Sequence, residues 1–342
     1  MRVAVDVMGG DNGPTVVVPG SLTVLQDPAY PDLSLQFYGN ETVIAPLLTG
    51  LPPDQRARVT IIHTESEITM DDASATAVRR KPTSSIALAL KAVKAGEADA
   101  VMSLGHSGAV MAGALGIIGR IPGVERPALV TLLPTLKGKS LMLDLGAIVD
   151  PKARFLVQYA LMATVYAQTA LDIPKPRVAL LSNGEEASKG NHLVQEVYPL
   201  LAATPQITFI GNCEGKELLR GDIEIIVTDG FTGNVALKSM EGAISVLNEV
   251  IRTEVTRTLP RKLLALALKP AFRNVRARLD YEEIGGAPLL GVNATVIVGH
   301  GRSGTRATEN AVKVAYRTAK QQLPQAIATM IASAGLPDQA DE

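Results

Sequence analysis

Residues 3–14 read VAVDVMGGDNGP, an apolar run with three valines that ends in a glycine-rich turn. A short β-branched run of this kind predicts a buried strand, and the proline after the turn favours the start of a helix. Similar apolar runs recur along the chain, and most segments between them have an apolar spacing of roughly 3.6 residues, which is typical of helices. This alternation predicts a three-layer α/β/α fold, in which helices cover both faces of a mostly parallel sheet.

The strand and helix pattern continues along the chain without a recognisable boundary. Strands are predicted at residues 3–7, 33–38, 59–62, 100–104, 128–133, 140–143, 178–181, 208–210, 224–227 and 295–298. Helical segments are predicted at residues 84–95, 109–119, 152–170, 235–250 and 305–323. Because no flexible linker and no repeat interrupts this pattern, residues 1–342 are predicted to form a single α/β domain.

Composition and charge argue against several classes of protein. The formal net charge is -1, aromatic residues make up 4% and tryptophan is absent, so no nucleic-acid-binding surface is indicated. The single cysteine, Cys213, excludes a disulfide framework. The N-terminus lacks the pattern of a signal peptide, and no apolar run reaches the ~20 residues of a membrane span. The chain is therefore expected to be cytoplasmic.

Residues 252–278 form a protruding basic segment in this prediction. They contain eight basic residues and one acidic residue around a leucine-rich run at 263–268. A short basic helix with many leucines suits a membrane surface or an acidic partner protein. The alternative is a helical hairpin that packs through its leucines and keeps its arginines in water. The residues assigned to membrane or partner contact are Arg257, Arg261, Lys262, Leu263, Leu264, Leu266, Leu268 and Lys269.

Four predicted strands end in glycine-rich turns that precede an expected helix start. These turns are residues 8–14, 105–109, 229–234 and 299–304. In an open parallel sheet, ligands bind where the strands end, and helix N-termini offer free N–H groups and a positive dipole end to anions. Together the turns favour a site for a phosphate-sized anion, although a tight turn between strand and helix needs glycine for structural reasons alone.

Several familiar sites are not supported. The last turn matches Gly-x-Gly-x-x-Gly, but no acidic residue lies about 20 positions further on to hold a ribose, so dinucleotide binding is not indicated. The nucleotide-binding Walker pattern and the Gly-x-Ser-x-Gly hydrolase elbow are both absent. Cys213 is more simply a buried filler than a nucleophile. The histidines His63, His106, His192 and His300 lack metal-ligand spacing, so no metal site is predicted.

Polar residues near these strand ends are the candidates for chemistry. Asp144 and Asp229 follow strands, where they either bind a divalent ion or cap the next element. His106 and His300 lie in glycine-rich turns and have either an active-site role or a local hydrogen-bonding role. Basic residues close to the turns supply the charge that a bound phosphate needs, unless they are only solvated surface residues. These basic residues are Arg79, Arg80, Lys81, Lys189 and Lys238.

Several strings occur together in one order along residues 3 to about 320. They include DVMGGD at 6–11, SSI at 84–86 after Arg80-Lys81, LDLGA at 143–147, GEE at 184–186, KGN at 189–191, DGFTGN at 229–234 and GGAPLLGV at 285–292. In this the chain closely resembles the phosphate acyltransferase family of bacterial phospholipid synthesis. It departs from the family pattern at Ile148, where asparagine is usual, at His106-Ser107, where Asn-Thr is usual, and at Asn293, where glycine is frequent.

The resemblance implies a fold like that of the isocitrate and isopropylmalate dehydrogenases, a homodimer, and no organic cofactor. It implies transfer of a long-chain acyl group from acyl carrier protein to inorganic phosphate. The acyl phosphate would then be used by a glycerol-3-phosphate acyltransferase. It also implies loose, peripheral association with the inner face of the cell membrane, which agrees with the basic segment. Because acyl carrier protein is acidic, the same segment is a candidate for receiving it.

Site roles follow from this activity as expectations. Lys189, with Arg80 or Lys81, is expected to hold phosphate, and Asn234, His106 or Ser107 to donate to the oxyanion. Asp229 completes the expected catalytic set. Further contacts with phosphate or the acyl chain are expected from Gly9, Gly10, Asp11, Asp144, Asn191, Gly233, Lys238 and His300.

Three other functions stay open on the sequence alone. A decarboxylating dehydrogenase on the same fold would need a nucleotide site and an aspartate-bound divalent ion. A phosphotransacetylase would use short acyl groups on coenzyme A. A peripheral membrane scaffold would bind lipid through the basic segment without turnover.

Overall fold

A computed structural model of the protein describes residues 1–146, 148–272, 275 and 285–335. The chain groups into two compact units, each built from separate stretches. Unit 1 comprises Met1–Val130, Leu161–Lys175 and Glu282–Glu342, and unit 2 comprises Thr131–Ala160 and Pro176–Tyr281. Each unit has its own sheet, where the sequence pattern predicted one sheet. The single domain over residues 1–342 stays a prediction.

Strands and helices alternate along most of the chain. The strands are Arg2–Asp6 (β1), Ser34–Gly39 (β2), Val59–His63 (β3), Ala100–Ser103 (β4), Ala128–Leu129 (β5), Thr131–Thr135 (β6), Gly138–Leu143 (β7), Arg177–Leu181 (β8), Thr208–Cys213 (β9), Ile225–Val227 (β10), Ala287–Leu290 (β11) and Thr295–Val298 (β12). The helices are Pro14–Leu25 (α1), Glu41–Leu47 (α2), Pro53–Arg56 (α3), Ala77–Arg80 (α4), Ser85–Lys94 (α5), Ser107–Gly113 (α6), Ala153–Ala170 (α7), His192–Ala202 (α8), Gly230–Thr256 (α9), Leu259–Ala267 (α10), Thr305–Lys320 (α11) and Leu323–Ala334 (α12).

Unit 1 is a three-layer structure around a seven-stranded sheet in the order β3-β2-β1-β4-β12-β11-β5. The five neighbouring strands β3, β2, β1, β4 and β12 run parallel to one another. Strand β11 is antiparallel to both of its neighbours, β12 and β5. Successive β1 residues point to opposite faces. Val3 and Val5 join a core that includes residues of α1 and α11. Ala4 joins a second core, which includes residues of α5. Helices therefore cover both faces of this sheet.

Unit 2 contains a five-stranded sheet in the order β6-β7-β10-β8-β9. Only its edge strand β6 is antiparallel to its neighbour. Met142 and Ile226 pack on one face together with Leu237 of α9. Leu143 and Val227, which point the other way along the same strands, are also fully buried. Both sheets are mostly parallel and carry helices, which confirms the predicted α/β class.

The prediction of one strand at residues 128–133 was wrong. Ala128–Leu129 pairs with β11 in unit 1, whereas Thr131–Thr135 pairs with β7 in unit 2. The run is continuously apolar, so its composition does not mark the point where the pairing partner changes. The chain passes between the units here and again within α7. The crossing at residues 160–161 lies inside α7, so the sequence pattern shows no break there.

The basic segment extends from the end of α9 through α10. No residue of α10 is buried. Leu263, Leu264, Leu266 and Leu268 are each more than half exposed, so they do not pack against the described chain as the hairpin alternative required. Arg273, Arg276 and Arg278 of this segment lie outside the described residues, as does Ala147 of the string at 143–147. Within the described ranges, no helix is long and apolar enough to cross a membrane.

Candidate active site

Three neighbouring parallel strands of unit 2, β7, β10 and β8, end at the same edge of their sheet. Asp144 follows β7, Asp229 follows β10, and the loop that carries Lys189 follows β8. The sequence therefore places these three side chains on loops at one edge. The geometry of each loop decides what its side chain can do.

Asp229 caps the helix that follows it. Its carboxylate accepts a hydrogen bond from the backbone N–H of Thr232 at 2.8 Å, as expected at the N-terminus of α9. Only 7% of Asp229 is exposed. Of the two interpretations open from the sequence, a divalent ion or a cap, the structure contains the cap.

Asp144 connects the loop after β7 to the start of α9. Its Oδ2 accepts the N–H of Ile148 at 2.8 Å, and the carbonyl of Ile148 accepts the N–H of Gly230 at 2.9 Å. A Cβ at Gly233 would lie 2.1 Å from the Asp144 carbonyl oxygen, so only glycine fits there. Three N–H groups at the start of α9, those of Gly230, Thr232 and Gly233, already have protein acceptors. These three N–H groups are therefore engaged within the protein, and the anion site expected at this turn stays a prediction.

Lys189 is held by its aliphatic part and leaves its ammonium group exposed. A Cβ at Gly184 would lie 2.7 Å from Lys189 Cγ, so the side chain crosses directly over this glycine. The Asn183 side chain accepts the N–H of Gly190 at 2.9 Å and closes the loop. Neighbouring Asn191 caps α8 by accepting the N–H of Val194 at 2.9 Å. Lys189 thus remains the free cation of this loop, since no described residue pairs with it.

Asn234 and Lys238 lie in the first turns of α9. Asn234 is exposed, and its Cγ lies 3.7 Å from the position that a Cβ on Gly146 would take, which is an ordinary contact distance. Lys238 pairs with Glu241 at 2.8 Å, which offsets its charge. Asn234 is therefore the exposed hydrogen-bond donor of this helix start.

In unit 1, the turns after β1, β4 and β12 interlock. The N–H of Asp11 donates to the carbonyl of Gly301 at 2.8 Å. Gly10 has a positive φ of 89°, and a Cβ there would lie 3.1 Å from the carbonyl oxygens of Gly301 and Leu104. A Cβ at Gly9 would lie 2.8 Å from the backbone nitrogen of Gly105. Close backbone approach therefore accounts for Gly9 and Gly10 of the first turn.

Asp6, which belongs to the string at 6–11 but was given no role in the predicted site, lies beneath these turns. Its Oδ2 accepts a hydrogen bond from the Ser103 hydroxyl at 2.6 Å. Burial raises the pKa of the Asp6 carboxyl, and the hydrogen bond from Ser103 opposes this shift. The signal in the sequence was a single acidic residue inside a run of valines.

The basic candidates of unit 1, Lys81 and Arg80, differ in whether their charge is already paired. Lys81 Nζ lies 2.6 Å from Asp72 Oδ2 and donates to the Glu67 carbonyl at 3.0 Å, so its charge is already offset. Arg80 is exposed and has no ion pair among the residues described.

The turns after β4 and β12 hold the remaining polar candidates. His106 and Ser107 begin α6, and both are half-buried. The exposed His300 accepts the N–H of Ser303 through its carbonyl at 2.9 Å.

Cys213 is buried at the end of β9, with 1% of its surface exposed. Burial raises the pKa of its thiol to about 12. Because the thiolate is the nucleophilic form, this thiol is poorly suited to accept an acyl group.

Comparison with known proteins assigns the chain to a family. A family model described as "Fatty acid synthesis protein" matches residues 1–326. The phosphate acyltransferase of Dictyoglomus turgidum is 44% identical, over 94% of this chain and 95% of the relative. The phosphate acyltransferase of Bacillus licheniformis is 43% identical, over 97% of both chains. The chain belongs to the phosphate acyltransferase family.

Solved structures share the fold of this phosphate acyltransferase family member. EutD phosphotransacetylase from Staphylococcus aureus has a TM-score of 0.62 at 16% identity, covering 93% of this chain and 94% of that one. A phosphotransacetylase from Streptococcus pyogenes has a TM-score of 0.62 at 19% identity, covering 94% of both chains. A 4-hydroxythreonine-4-phosphate dehydrogenase structure from Salmonella typhimurium has a TM-score of 0.50 at 14% identity, covering 94% of this chain and 99% of that one. At such identities the similarity shows the fold alone, and this fold is of the dehydrogenase-like α/β kind implied by the resemblance.

For a phosphate acyltransferase, the predicted site residues separate into two groups. Unit 2 carries Asp144, Asp229, Gly233, Asn234, Lys189, Asn191 and Lys238. Unit 1 carries Gly9, Gly10, Asp11, Arg80, Lys81, His106, Ser107 and His300. In unit 2, Asp144, Asp229 and Gly233 meet at the start of α9. The chemical roles of all these residues in the phosphate acyltransferase reaction stay predictions.

Proposed function

We propose that the chain transfers a long-chain acyl group from the thioester of acyl carrier protein to inorganic phosphate. The products are acyl phosphate and free carrier protein. The observation that carries the proposal is the similarity to phosphate acyltransferases over nearly the whole chain. The exposed, unpaired Lys189 and the exposed Asn234 of unit 2 support it, since one suits an anionic substrate and the other a developing oxyanion.

The reaction needs positioning more than covalent catalysis. A phosphate oxygen attacks the thioester carbonyl carbon, the carbonyl becomes a tetrahedral oxyanion, and the C–S bond then breaks. The sulfur leaves with the electron pair and takes a proton from water. Because a thiol has a pKa of about 8.5, the thiolate leaves readily, and phosphate is already an anionic nucleophile. The buried Cys213 is then not required for an acyl-enzyme.

Two side chains of unit 2 carry the proposed roles. The Lys189 ammonium binds phosphate, and the Asn234 amide donates to the oxyanion. Asn234→Ala is expected to lower kcat by about 10²–10³, the usual cost of losing one oxyanion donor. Lys189→Ala is expected to raise the KM of phosphate. Lys175→Ala, which removes another exposed lysine, in unit 1, is the matched control. A near-wild-type kcat in Asn234→Ala would contradict the role of Asn234, and an unchanged KM of phosphate in Lys189→Ala would contradict the role of Lys189.

The activity is tested with palmitoyl-acyl carrier protein and inorganic phosphate, with acyl phosphate measured by mass spectrometry and acetyl-coenzyme A run in parallel. Product only from the carrier-protein substrate is the expected result. Product only from acetyl-coenzyme A would assign the chain to short-chain phosphate transfer instead. No product from either substrate, with liposome binding intact, would favour the scaffold interpretation.

Partners and location belong to the same proposal. The exposed leucines and basic residues of the 252–278 segment support peripheral contact with the inner face of the cell membrane or with the acidic carrier protein. A homodimer, and a glycerol-3-phosphate acyltransferase that consumes the acyl phosphate, complete the expected setting in the cytoplasm.

A further inference from the structure

We infer that Asp6 is a positioning residue for this reaction, which holds the turn after β1 in register with the turn after β4 through the hydroxyl of Ser103. The inference rests on the proposed function. The two turns carry Gly10, Asp11, His106 and Ser107, which are expected substrate contacts.

The first step is a hydrogen-bonded connection between the two turns. Asp6 ends β1 and lies in register with Ser103, the last residue of β4. The Ser103 hydroxyl donates to Asp6 Oδ2 at 2.6 Å, and the N–H of Gly105 donates to the same hydroxyl at 3.0 Å. The serine oxygen therefore links the backbone of the second turn to the carboxyl at the base of the first.

The second step is the close fit of the first turn over this connection. A Cβ at Gly9 would lie 2.7 Å from Asp6 Oδ2 and 2.8 Å from the backbone nitrogen of Gly105. The backbone of Gly9 thus lies against both the carboxyl and the second turn. A shift of the Asp6 carboxyl would displace Gly9, and with it the adjoining Gly10 and Asp11.

The third step is that the carboxyl of Asp6 is explained by its hydrogen bond and not by its contribution to packing. Asp6 is 3% exposed at the end of β1, next to the buried residues 3–5, and a carboxyl at such a position is costly to bury. The Ser103 hydroxyl first, and then the Ser85 hydroxyl and the N–H groups of Met8 and Gly9, oppose the effect of burial on its pKa. Oδ1 has no hydrogen-bond partner within the described residues. The bond to Ser103 is therefore the main contact that the carboxyl makes.

The variants separate a hydrogen-bonding role from a filling role. Asp6→Asn keeps a side-chain oxygen for Ser103, and we expect it to keep the wild-type KM for phosphate. Asp6→Ala and Ser103→Ala each remove the bond, and we expect each to raise this KM by about tenfold with a smaller effect on kcat. Because both substitutions break one connection, the double variant should be no worse than the more affected single variant. Ser21→Ala, which removes a buried serine hydroxyl elsewhere in unit 1, is the control and should change neither constant.

Hydrogen exchange gives a readout that does not depend on turnover. The amide of Gly105 should exchange faster in Asp6→Ala and in Ser103→Ala, but not in Asp6→Asn or Ser21→Ala. An inactive wild-type chain would overturn the proposed function, and the exchange pattern would still decide whether Asp6 holds the turns. If Asp6→Ala does not fold, Ser103→Ala and Asp6→Asn carry the comparison. Equal exchange in all variants, or additive effects on KM, would overturn the inference.

Discussion

Lys81 and Lys189 have the same chemistry but lie in different electrostatic surroundings. The ammonium of Lys81 is paired with Asp72, whereas that of Lys189 has no such partner in the described chain. A cation whose charge is already neutralised has less to offer a phosphate dianion. Of the lysines that the sequence suggested, Lys189 is therefore the stronger candidate for binding phosphate.

The pairing of Lys81 with Asp72 predicts a pH dependence. The hydrogen bond from Lys81 holds the pKa of Asp72 below its usual value. A lowered pKa in the folded chain means that the pair stabilises the fold above the pKa of the unfolded chain, and that this contribution is lost as the pH falls through the folded value. In Lys81→Ala, the Asp72 pKa should rise towards its usual value, as measured by NMR titration of the carboxyl carbon. An unchanged titration in this variant would show that the pair does not form in solution.

The burial of Cys213 predicts that its thiol is unreactive in the folded chain. Since burial raises its pKa to about 12, the thiol should not react with iodoacetamide at pH 8 until the chain is unfolded in denaturant. Cys213→Ala should retain wild-type turnover, because the proposed reaction forms no acyl-enzyme. Rapid alkylation of the folded chain, or loss of turnover in the variant, would restore the cysteine as a candidate nucleophile.

At the scale of elements, the start of α9 joins two loops into one structure. Asp229 caps the helix, Asp144 binds the loop through Ile148, and that loop accepts the N–H of Gly230. The side chain of Ile148, in place of the usual asparagine, is not part of this connection, which uses its backbone. The helix start is therefore built mainly from contacts within the chain.

The cap predicts a measurable loss of stability. Asp229→Ala should lower the free energy of unfolding by about 0.5–2 kcal/mol, as is usual for a lost N-cap, and urea denaturation measures it. Asp229→Asn keeps a capping oxygen and should restore most of this stability. If Asp229→Asn is stable but inactive, the charge of Asp229 serves the reaction as well. If Asp229→Ala is as stable as the wild type, the cap contributes nothing.

The exposed helix α10 predicts binding that depends on charge. Lys262→Glu reverses one charge beside the exposed leucines. It should either reduce the fraction of protein that sediments with anionic liposomes or raise the KM for acyl carrier protein. Lys175→Glu makes the same change at another exposed position, in unit 1, and should alter neither measurement. Reduced sedimentation with liposomes alone would favour a role in membrane binding. A raised KM alone would favour a role in binding the carrier protein. No difference between the variants would remove both roles.

At the scale of the whole molecule, ligand binding should separate the remaining enzyme classes. Phosphate at 100 times its Kd should stabilise the folded chain by about 2.7 kcal/mol, seen as a higher Tm than in potassium chloride of equal ionic strength. Nicotinamide dinucleotides should leave the Tm unchanged. A shift with the dinucleotide and none with phosphate would favour the dehydrogenase alternative.

Much of the fold was predictable because its central strands are buried on both faces. Buried parallel strands are continuously apolar, so β1, β4 and β12 were clear from composition. The strand Ala287–Leu290 was not predicted, since proline and two preceding glycines are typical of loops. The division of residues 128–133 between two sheets was not predictable, because pairing partners lie far away in the sequence.

The sequence predicted which types of residue lie at the candidate site better than it predicted the contacts that they make. Glycine-rich turns and nearby lysines marked the strand ends, but the bond between Lys81 and Asp72 depends on how the chain folds back. Asp6 received no role in the predicted site because a single acid in a valine run is typical of a strand, and its partner Ser103 follows only from the pairing of β1 with β4.

The interleaved chain also sets an order of events on the ribosome. All five strands of the second sheet lie between residues 131 and 227, so that sheet can form as soon as this stretch emerges. In the first sheet, β4 must wait for β12, the last strand of the described chain, before its second edge is covered. A nascent chain interrupted before residue 295 would therefore leave an open, apolar strand edge, the kind of surface that chaperones bind.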